Sequence, residues 1–334
     1  MKARMPALVG AALLCAFAGA ARAEVSEIKI AEQYGISYLP LMVMEQNKTL
    51  EREAKAAGLG DVKVTWAKFA GGNVMNDAML SGDLHFASGG LGPFMTLWAK
   101  TRDNIGVKAV SSMNSMPLYL NTRNPNVKQL KDFTEADKIA LPAAKVSIQA
   151  ITLQMAAEKA FGAGNQNKLD AMTVSQSHPD GMAALLSGSS EINSHFTSPP
   201  FQYTELEKPG IHTVLNSYDV TGGPHTFNVV WASQKFVDAN PKTYAAFVRA
   251  FDAAIATINK DKKAAAALYI SVTKTKETPA AIEKMLADPN IEFTTTPKNV
   301  MKYADFMYRI GIIKAKPETW KVMFFPSAHS LPGT

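Results

Sequence analysis

Six histidines, one cysteine and 29 acidic residues are the side chains from which this chain could build hydrolytic, redox or metal chemistry. Their spacing assembles none of the local motifs those chemistries need. No two histidines are close enough to share a helix face as metal ligands, and there is no His-Glu-x-x-His. No serine has glycines two positions before and after it, which excludes the nucleophile elbow of the α/β-hydrolases. No Gly-Lys pair exists for a phosphate-binding loop. Gly58-Leu59-Gly60 and Gly162-Ala163-Gly164 each lack the third glycine of a dinucleotide fingerprint. His85 and His195 read as packed strand histidines. His178, before Pro179, reads as a loop residue, and the carboxylates are scattered. The sequence predicts no catalytic residue, no metal ligand and no cofactor.

What remains is recognition. Five loops carry small, polar and aromatic residues: Gln33-Tyr34-Gly35, Gly71-Gly72-Asn73, Ser88-Gly89-Gly90, Lys145 to Gln149, and Thr197-Ser198. Glycines let the backbone approach a ligand, and the helix starts that follow offer free N–H groups to an anion. Tyr34 can stack on a ligand or hydrogen-bond to it. Asn114 and Asn228 flank the two places where the chain passes between its halves. The expected ligand contacts are therefore Tyr34, Gly35, Tyr38, Gly72, Asn73, Ser88, Gly89, Gly90, Asn114, Lys145, Ser147, Gln149, Thr197, Ser198 and Asn228. No arginine occurs in these loops, so no bidentate carboxylate clamp is expected, which argues against amino acids and dicarboxylates. Lys145 is the one side-chain cation beside a helix start. An oxyanion held by backbone dipoles, or a neutral heteroaromatic, fits this set.

The elements that must position these loops alternate. Strands are predicted at Ile28–Ala31, Val62–Trp66, Leu84–Ala87 and Val107–Val110. Helices lie between them, one opened by Pro40, one over Asn73–Ser81 capped by Gly82, and one started by Pro93. The rhythm repeats with strands at Lys138–Leu141, Ala171–Val174 and Ile192–Phe196. Here the helices are Ile148–Phe161, Met182–Leu186 and Phe201–Leu206. This β-α-β pattern predicts an α/β fold of two lobes, each a mostly parallel sheet flanked by helices. An internal echo supports the doubling. Ala78-Met79-Leu80-Ser81-Gly82 returns as Ala184-Leu185-Leu186-Ser187-Gly188, and each copy is followed by an acid, an apolar residue and His-Phe. After a strand at Phe227–Ala232 come helices at Pro241–Asn259, Lys262–Val272 and Thr296–Ile310. They make sense if the chain returns to cover the first lobe. Lobe one is then 24–117 plus 222–334 and lobe two 118–221, joined by a hinge of two crossings.

Residues 1–23 read as a cleaved secretory leader. Lys2 and Arg4 precede the charge-free run Ala7–Ala20, and Ala21-Arg22-Ala23 has the small-x-small pattern of a cleavage site. Leu14 before Cys15 does not suit a lipid anchor. Cleavage removes the only cysteine, so no disulfide is expected. It also removes Lys2, Arg4 and Arg22 and no acid, so half of the +6 net charge goes with it. The basic balance then points to neither nucleic acid nor membrane. With 47% hydrophobic and 19% charged residues, the chain has the composition of a globular protein stabilised by core burial.

An exported chain of two hinged α/β lobes resembles a periplasmic solute receptor. Particular segments are similar to the substrate-binding proteins of nitrate/taurine/alkanesulfonate ABC importers, a family that also resembles the thiamine-pyrimidine precursor synthases. They are Ile28-Lys29-Ile30-Ala31, Tyr38-Leu39-Pro40-Leu41, the run from Ala78 to Leu84 leading to Gly89-Gly90 and Pro93, the run Ala184–Gly188 followed by Ser198-Pro199-Pro200, and Phe236 to Pro241. Coverage is about residues 26–260. The departure lies in the second lobe, where Pro142-Ala143-Ala144-Lys145-Val146-Ser147-Ile148-Gln149 replaces the family's shorter loop, so a ligand unlike nitrate or taurine is expected. The resemblance implies a monomeric periplasmic protein with no cofactor. It captures a small organic molecule such as a sulfonate and delivers it to an inner-membrane permease with its ATPase. The alternative is an exported enzyme on the same fold.

Overall fold

The computed structural model describes residues 23–334. The expected leader, with Cys15, lies outside the described residues. No helix among them is long and apolar enough to cross a membrane.

The first group of elements is β1 (Glu27–Glu32), α1 (Leu39–Asn47), α2 (Thr49–Ala56), β2 (Lys63–Lys68), α3 (Gly72–Leu80), β3 (Ala87–Gly90), α4 (Leu91–Thr101) and β4 (Val107–Ser112). The second is β5 (Tyr119–Thr122), β6 (Ile139–Leu141), α5 (Ile148–Phe161), β7 (Thr173–Ser175), α6 (His178–Ser187), β8 (Ser194–Thr197), α7 (Phe201–Leu206), β9 (His212–Asn216) and α8 (Ser217–Thr221). The chain then adds β10 (Asn228–Ser233), α9 (Gln234–Ala239), α10 (Pro241–Lys260), α11 (Lys262–Thr273), α12 (Pro279–Ala287) and α13 (Val300–Arg309).

Strand pairing divides the fold into two lobes of identical topology. In lobe two the order is β7-β6-β8-β5-β9. In lobe one β2-β1 and β3-β10-β4 are joined through the bridge Ile30–Phe86 and the hydrogen bond from Ala31 N–H to Phe86 O (2.9 Å). Both sheets thus read second, first, third, crossing strand, fourth. The crossing strand, β10 or β5, is antiparallel to both its neighbours, and the other four run the same way. Each is the strand with which the chain arrives from the other lobe.

The returning helices cover lobe one. α10 packs on α1 and α2, and α11 packs on α1. The core beneath them is aromatic: Phe86 stacks on Phe247 with centroids 3.9 Å apart, and Trp231 on β10 is fully buried beside Phe94. Burying such rings dominates the energetics of a core without disulfides.

The third strand of lobe one is displaced from its expected position. Leu84–Phe86 runs beside β1 through irregular bonds, His85 and Phe86 N–H both reaching Lys29 O, and the regular strand is Ala87–Gly90. Ser-Gly-Gly has poor strand propensity, but here it lies under β10 and pairing overrides it. Two strands were not expected at all. β5 and β9 are only 4 and 5 residues long, and β5 is bounded by Pro117 and Pro125.

Candidate functional site

The carboxyl ends of the parallel strands in both lobes face one junction, where open α/β sheets take ligands. Four helices begin there. α3 starts at Gly72 and α4 after Gly90, both without a side-chain cap. α5 starts after Ser147, whose Oγ accepts from Ala150 N–H at 3.2 Å, and α6 starts at His178 after Ser177. Residues from all four starts line one cavity together with Gln33, Tyr38, Pro93, Pro142, Phe227 and Asn228. Two helix starts come from each lobe, and each brings the positive end of its dipole and unpaired N–H groups. The lining holds no lysine, arginine or carboxylate.

The lobes are in contact here, and the cavity is about 10 Å³, room for about one water. Glycines make the approach possible. A Cβ on Gly90 would sit 2.6 Å from Ile148 Cγ2, across the junction. Gly35 has φ 111° and a Cβ there would meet Pro199 O at 3.0 Å, while Ile36 N–H donates to the same carbonyl at 3.3 Å. These glycines let lobe meet lobe.

The polar groups around the cavity are nearly all engaged. Asn114 Nδ2 donates to Ser37 O at 2.7 Å, and Asn228 Nδ2 donates to Ser37 Oγ at 3.0 Å. Asn228 Oδ1 and Ser198 Oγ are buried with no protein partner. Such groups carry a desolvation cost that a ligand's hydrogen bond removes. Burial pushes the Tyr38 hydroxyl up, and the nearby Glu32 adds to the shift. Burial, then the neighbouring His195, holds His178 well below the usual histidine range.

Six of the expected contacts line this cavity: Tyr38, Gly72, Gly90, Ser147, Gln149 and Asn228. Gly35, Asn114, Thr197 and Ser198 are buried around it. The rest sit elsewhere. Ser88 is in β3, where its Oγ donates to Ala31 O at 2.6 Å, inside lobe one. Gly89, also strand and not loop, faces Gln33 Nε2 and Trp231 in the same lobe. Tyr34 lies at the lobe edge with Lys68 Nζ 5.5 Å from its ring centroid. Asn73 and Lys145 are exposed, and Lys145 does not point a charge into the cavity lining.

Six lining residues lie outside the expected set, and two of them, Gln33 and His178, carry polar side chains. Gln33 was noted in its loop but not chosen, and His178 was read as a loop residue. His178 is the first residue of α6, buried, with Gln149 Nε2 at 3.3 Å from its Nε2. The signal was there: Ser177-His178-Pro179-Asp180 has a capping serine, a first-turn proline and a first-turn acid, placing His178 at a helix start. A wider groove of about 740 Å³ lies between α5 and α13, but its Lys159 and Lys302 already donate to the carbonyls of Val220 and Thr221.

A model of the NMT1-like family matches residues 21–272. No curated protein matches the chain. Among solved structures, the alkanesulfonate-binding protein SsuA from Xanthomonas axonopodis pv. citri, bound to MOPS, superposes with a TM-score of 0.70 at 15% identity, covering 90% of this chain and 98% of that one. The periplasmic nitrate-binding protein NrtA from Synechocystis PCC 6803 gives 0.68 at 14% identity, over 90% and 85%. The ligand-binding component of an ABC-type import system from Staphylococcus aureus, with zinc bound, gives 0.67 at 16% identity, over 91% and 98%. The fold is that of the periplasmic binding proteins.

Proposed function

The chain belongs to the NMT1-like family, and from that premise we propose that it is the extracytoplasmic solute-binding component of an ABC importer, closing two lobes around a small organic anion such as a sulfonate. The observation that carries this reading is the convergence of four helix starts, two from each lobe, on one cavity lined by neutral side chains. Dipoles and N–H groups suit an anion, and the absence of a lining arginine disfavours a carboxylate clamp. The solved structures of this fold include proteins described as binding alkanesulfonate and nitrate, which is consistent with that ligand class.

In this reading Tyr38, Ser147, Gln149 and Asn228 contact the ligand directly, and Gly72 and Gly90 supply backbone. Lobe one comprises 24–117 and 222–334 and lobe two 118–221, with the hinge at the two crossings. Closure is driven by contacts that the open form lacks, since only differential affinity shifts a conformational equilibrium. The closed form, a periplasmic monomer released from its leader after Ala23, docks on an inner-membrane permease and its ATPase.

A thermal-shift series over nitrate, ethanesulfonate, MOPS and neutral heteroaromatics tests the reading. An anion at 100 times its Kd stabilises by about 2.7 kcal/mol. Stabilisation by heteroaromatics alone overturns the anion assignment. Radii of gyration with and without the stabilising compound test closure, and an unchanged radius under tight binding overturns it.

A further inference from the structure

Behind the lobe-two wall lies a chain of buried polar groups that the cavity's geometry does not require. Glu205 on α7 accepts from Asn121 Nδ2 at 2.9 Å and from His195 Nδ1 at 2.5 Å. His195 Nε2 lies 3.4 Å from His178 Nδ1, to which Thr197 Oγ1 also comes within 2.9 Å. His178 Nε2 meets the Gln149 amide, which lines the cavity. Glu205, His195, His178 and Gln149 are all buried. Room for the middle ring is made by Gly181, where a Cβ would sit 2.7 Å from His195 Nε2. The chain leads from a fully buried carboxylate to the cleft.

We propose that Glu205, His195 and His178 form a proton-holding relay, so that capture of an anion takes one proton from solvent and turns the Gln149 wall from hydrogen-bond acceptor to donor. The proposal rests on the anion reading above. Without ligand, the Glu205 carboxylate fixes Nδ1–H on His195. His178 carries its proton on Nδ1, bonded to Thr197 and His195, and its Nε2 accepts from Gln149. The Gln149 carbonyl is then left for the cavity. When an anion enters, a hydronium ion of the solvent gives its proton to His178 Nε2 and leaves as water, and the Nδ1 proton of His178 passes to His195 Nε2. One N–H bond breaks, two form, and the net gain is the one solvent proton. His195 becomes an imidazolium against the Glu205 carboxylate. His178 Nε2–H now donates to the Gln149 carbonyl, so the amide turns its N–H groups to the anion.

The surroundings leave this relay in charge of the wall. From β5 it meets the neutral Asn121, from β8 Thr197, and from α5 Gln149. On α6 Asp180 is held by Ser177 Oγ at 2.5 Å. On α7 Phe201 stacks on His178, Tyr203 lies against Tyr119, and Glu207 is exposed. Across the cavity lobe one presents Tyr38, with Glu32 behind it.

The test is calorimetric titration of the full mature chain with ethanesulfonate and with nitrate at about pH 6, 7 and 8, in buffers of differing ionisation enthalpy, with long-range ¹H–¹⁵N spectra of the histidine rings. Expected are an uptake of about one proton, an affinity falling about tenfold per pH unit, and transfer of the His178 proton from Nδ1 to Nε2 on binding. His178→Gln should lose both the proton uptake and the pH dependence of whatever binding it retains. Binding without proton uptake or tautomer change overturns the relay and leaves the anion reading standing. No binding of either anion overturns the coupling, and the thermal-shift series then decides the anion reading separately. If His178→Gln is too unstable to assay, the wild-type spectra decide alone.

Discussion

Each lobe buries a carboxylate close to the cleft, and the two are handled in opposite ways. Glu32, at the end of β1 in lobe one, pairs one oxygen with Lys68 at 3.1 Å and leaves the other without a partner. Burial pushes its carboxyl up to about 7, against the pull of Lys68. Glu205 in lobe two is fully buried with both oxygens bonded, to His195 and Asn121. The His-Phe echo diverges likewise. His85 only accepts a hydrogen bond from Lys29 N–H and stacks on Phe236, whereas His195 sits inside the polar chain. Identical topology therefore fixes where strands and helix starts lie, while the residues placed on it leave one lobe's carboxylate half-partnered and tie the other's into a chain of hydrogen bonds.

The sharpest way to break that comparison is Glu205→Ala. It removes the buried acceptor of His195 Nδ1 and one of the two acceptors of Asn121 Nδ2, which keeps Gln202 O, and should cost about 3–5 kcal/mol in urea denaturation, where His85→Ala should cost about 1 kcal/mol. Near-equal losses would mean the two histidines do equivalent work. Next comes Gly89→Val in the packed wall of lobe one. The added side chain meets Gln33 Nε2 at 2.8 Å and Trp231 at 3.3 Å, so a stability loss of about 1–3 kcal/mol should show by the same measurement. An unperturbed midpoint would show that β3 has slack.

Glu32→Gln probes the other carboxylate through pH. The folded-state pKa of Glu32 is raised above its unfolded value of 4.5 to about 7, so the folded state binds more protons between these values. Its contribution to stability is full below pH 4.5 and is lost as pH rises through about 7. The glutamine variant should lack this decline and gain roughly 1–3 kcal/mol over wild type at alkaline pH relative to acid. The smallest effect is expected for Lys145→Ala. An exposed lysine outside the cavity lining should change neither stability nor anion affinity by more than about 0.5 kcal/mol. A large, salt-dependent loss of affinity would bring that side chain back into the site.

Much of the architecture is legible in the sequence because periodicity and caps report it. The bounds of α5 and α7 match the expected Ile148–Phe161 and Phe201–Leu206, and the echo marks the third strand of both sheets. Pairing is less legible. Nothing local in Tyr119-Leu120-Asn121-Thr122 says that it enters a sheet between two strands, pairing Thr122 with Ser194 and Leu120 with Leu215. For the same reason Ser88-Gly89 reads as an exposed loop. Its burial is decided by β10, far along the chain. Lys145 draws notice in the sequence and His178 does not, although His178 lines the cavity and Lys145 lies outside it, because charge is visible in a sequence whereas the direction of a side chain at a helix start is not.

The position of the crossing strands also sets a timetable. β10 lies inside the first sheet, between β3 and β4, so lobe one keeps an open gap until residues 228–233 have been made and moved into place. Every strand of lobe two lies within 119–216. The second lobe is thus the one able to complete itself early, and the amino-terminal half waits for the last third of the chain, a delay that non-local pairing imposes on any folding route. Were the chain exported through a membrane in extended form, as proposed above, that wait would keep its leading half loose during passage. Pulse-labelled hydrogen exchange on refolding should find β6 and β8 protected before β3 and β4, and the reverse order would show that lobe one closes without its central strand.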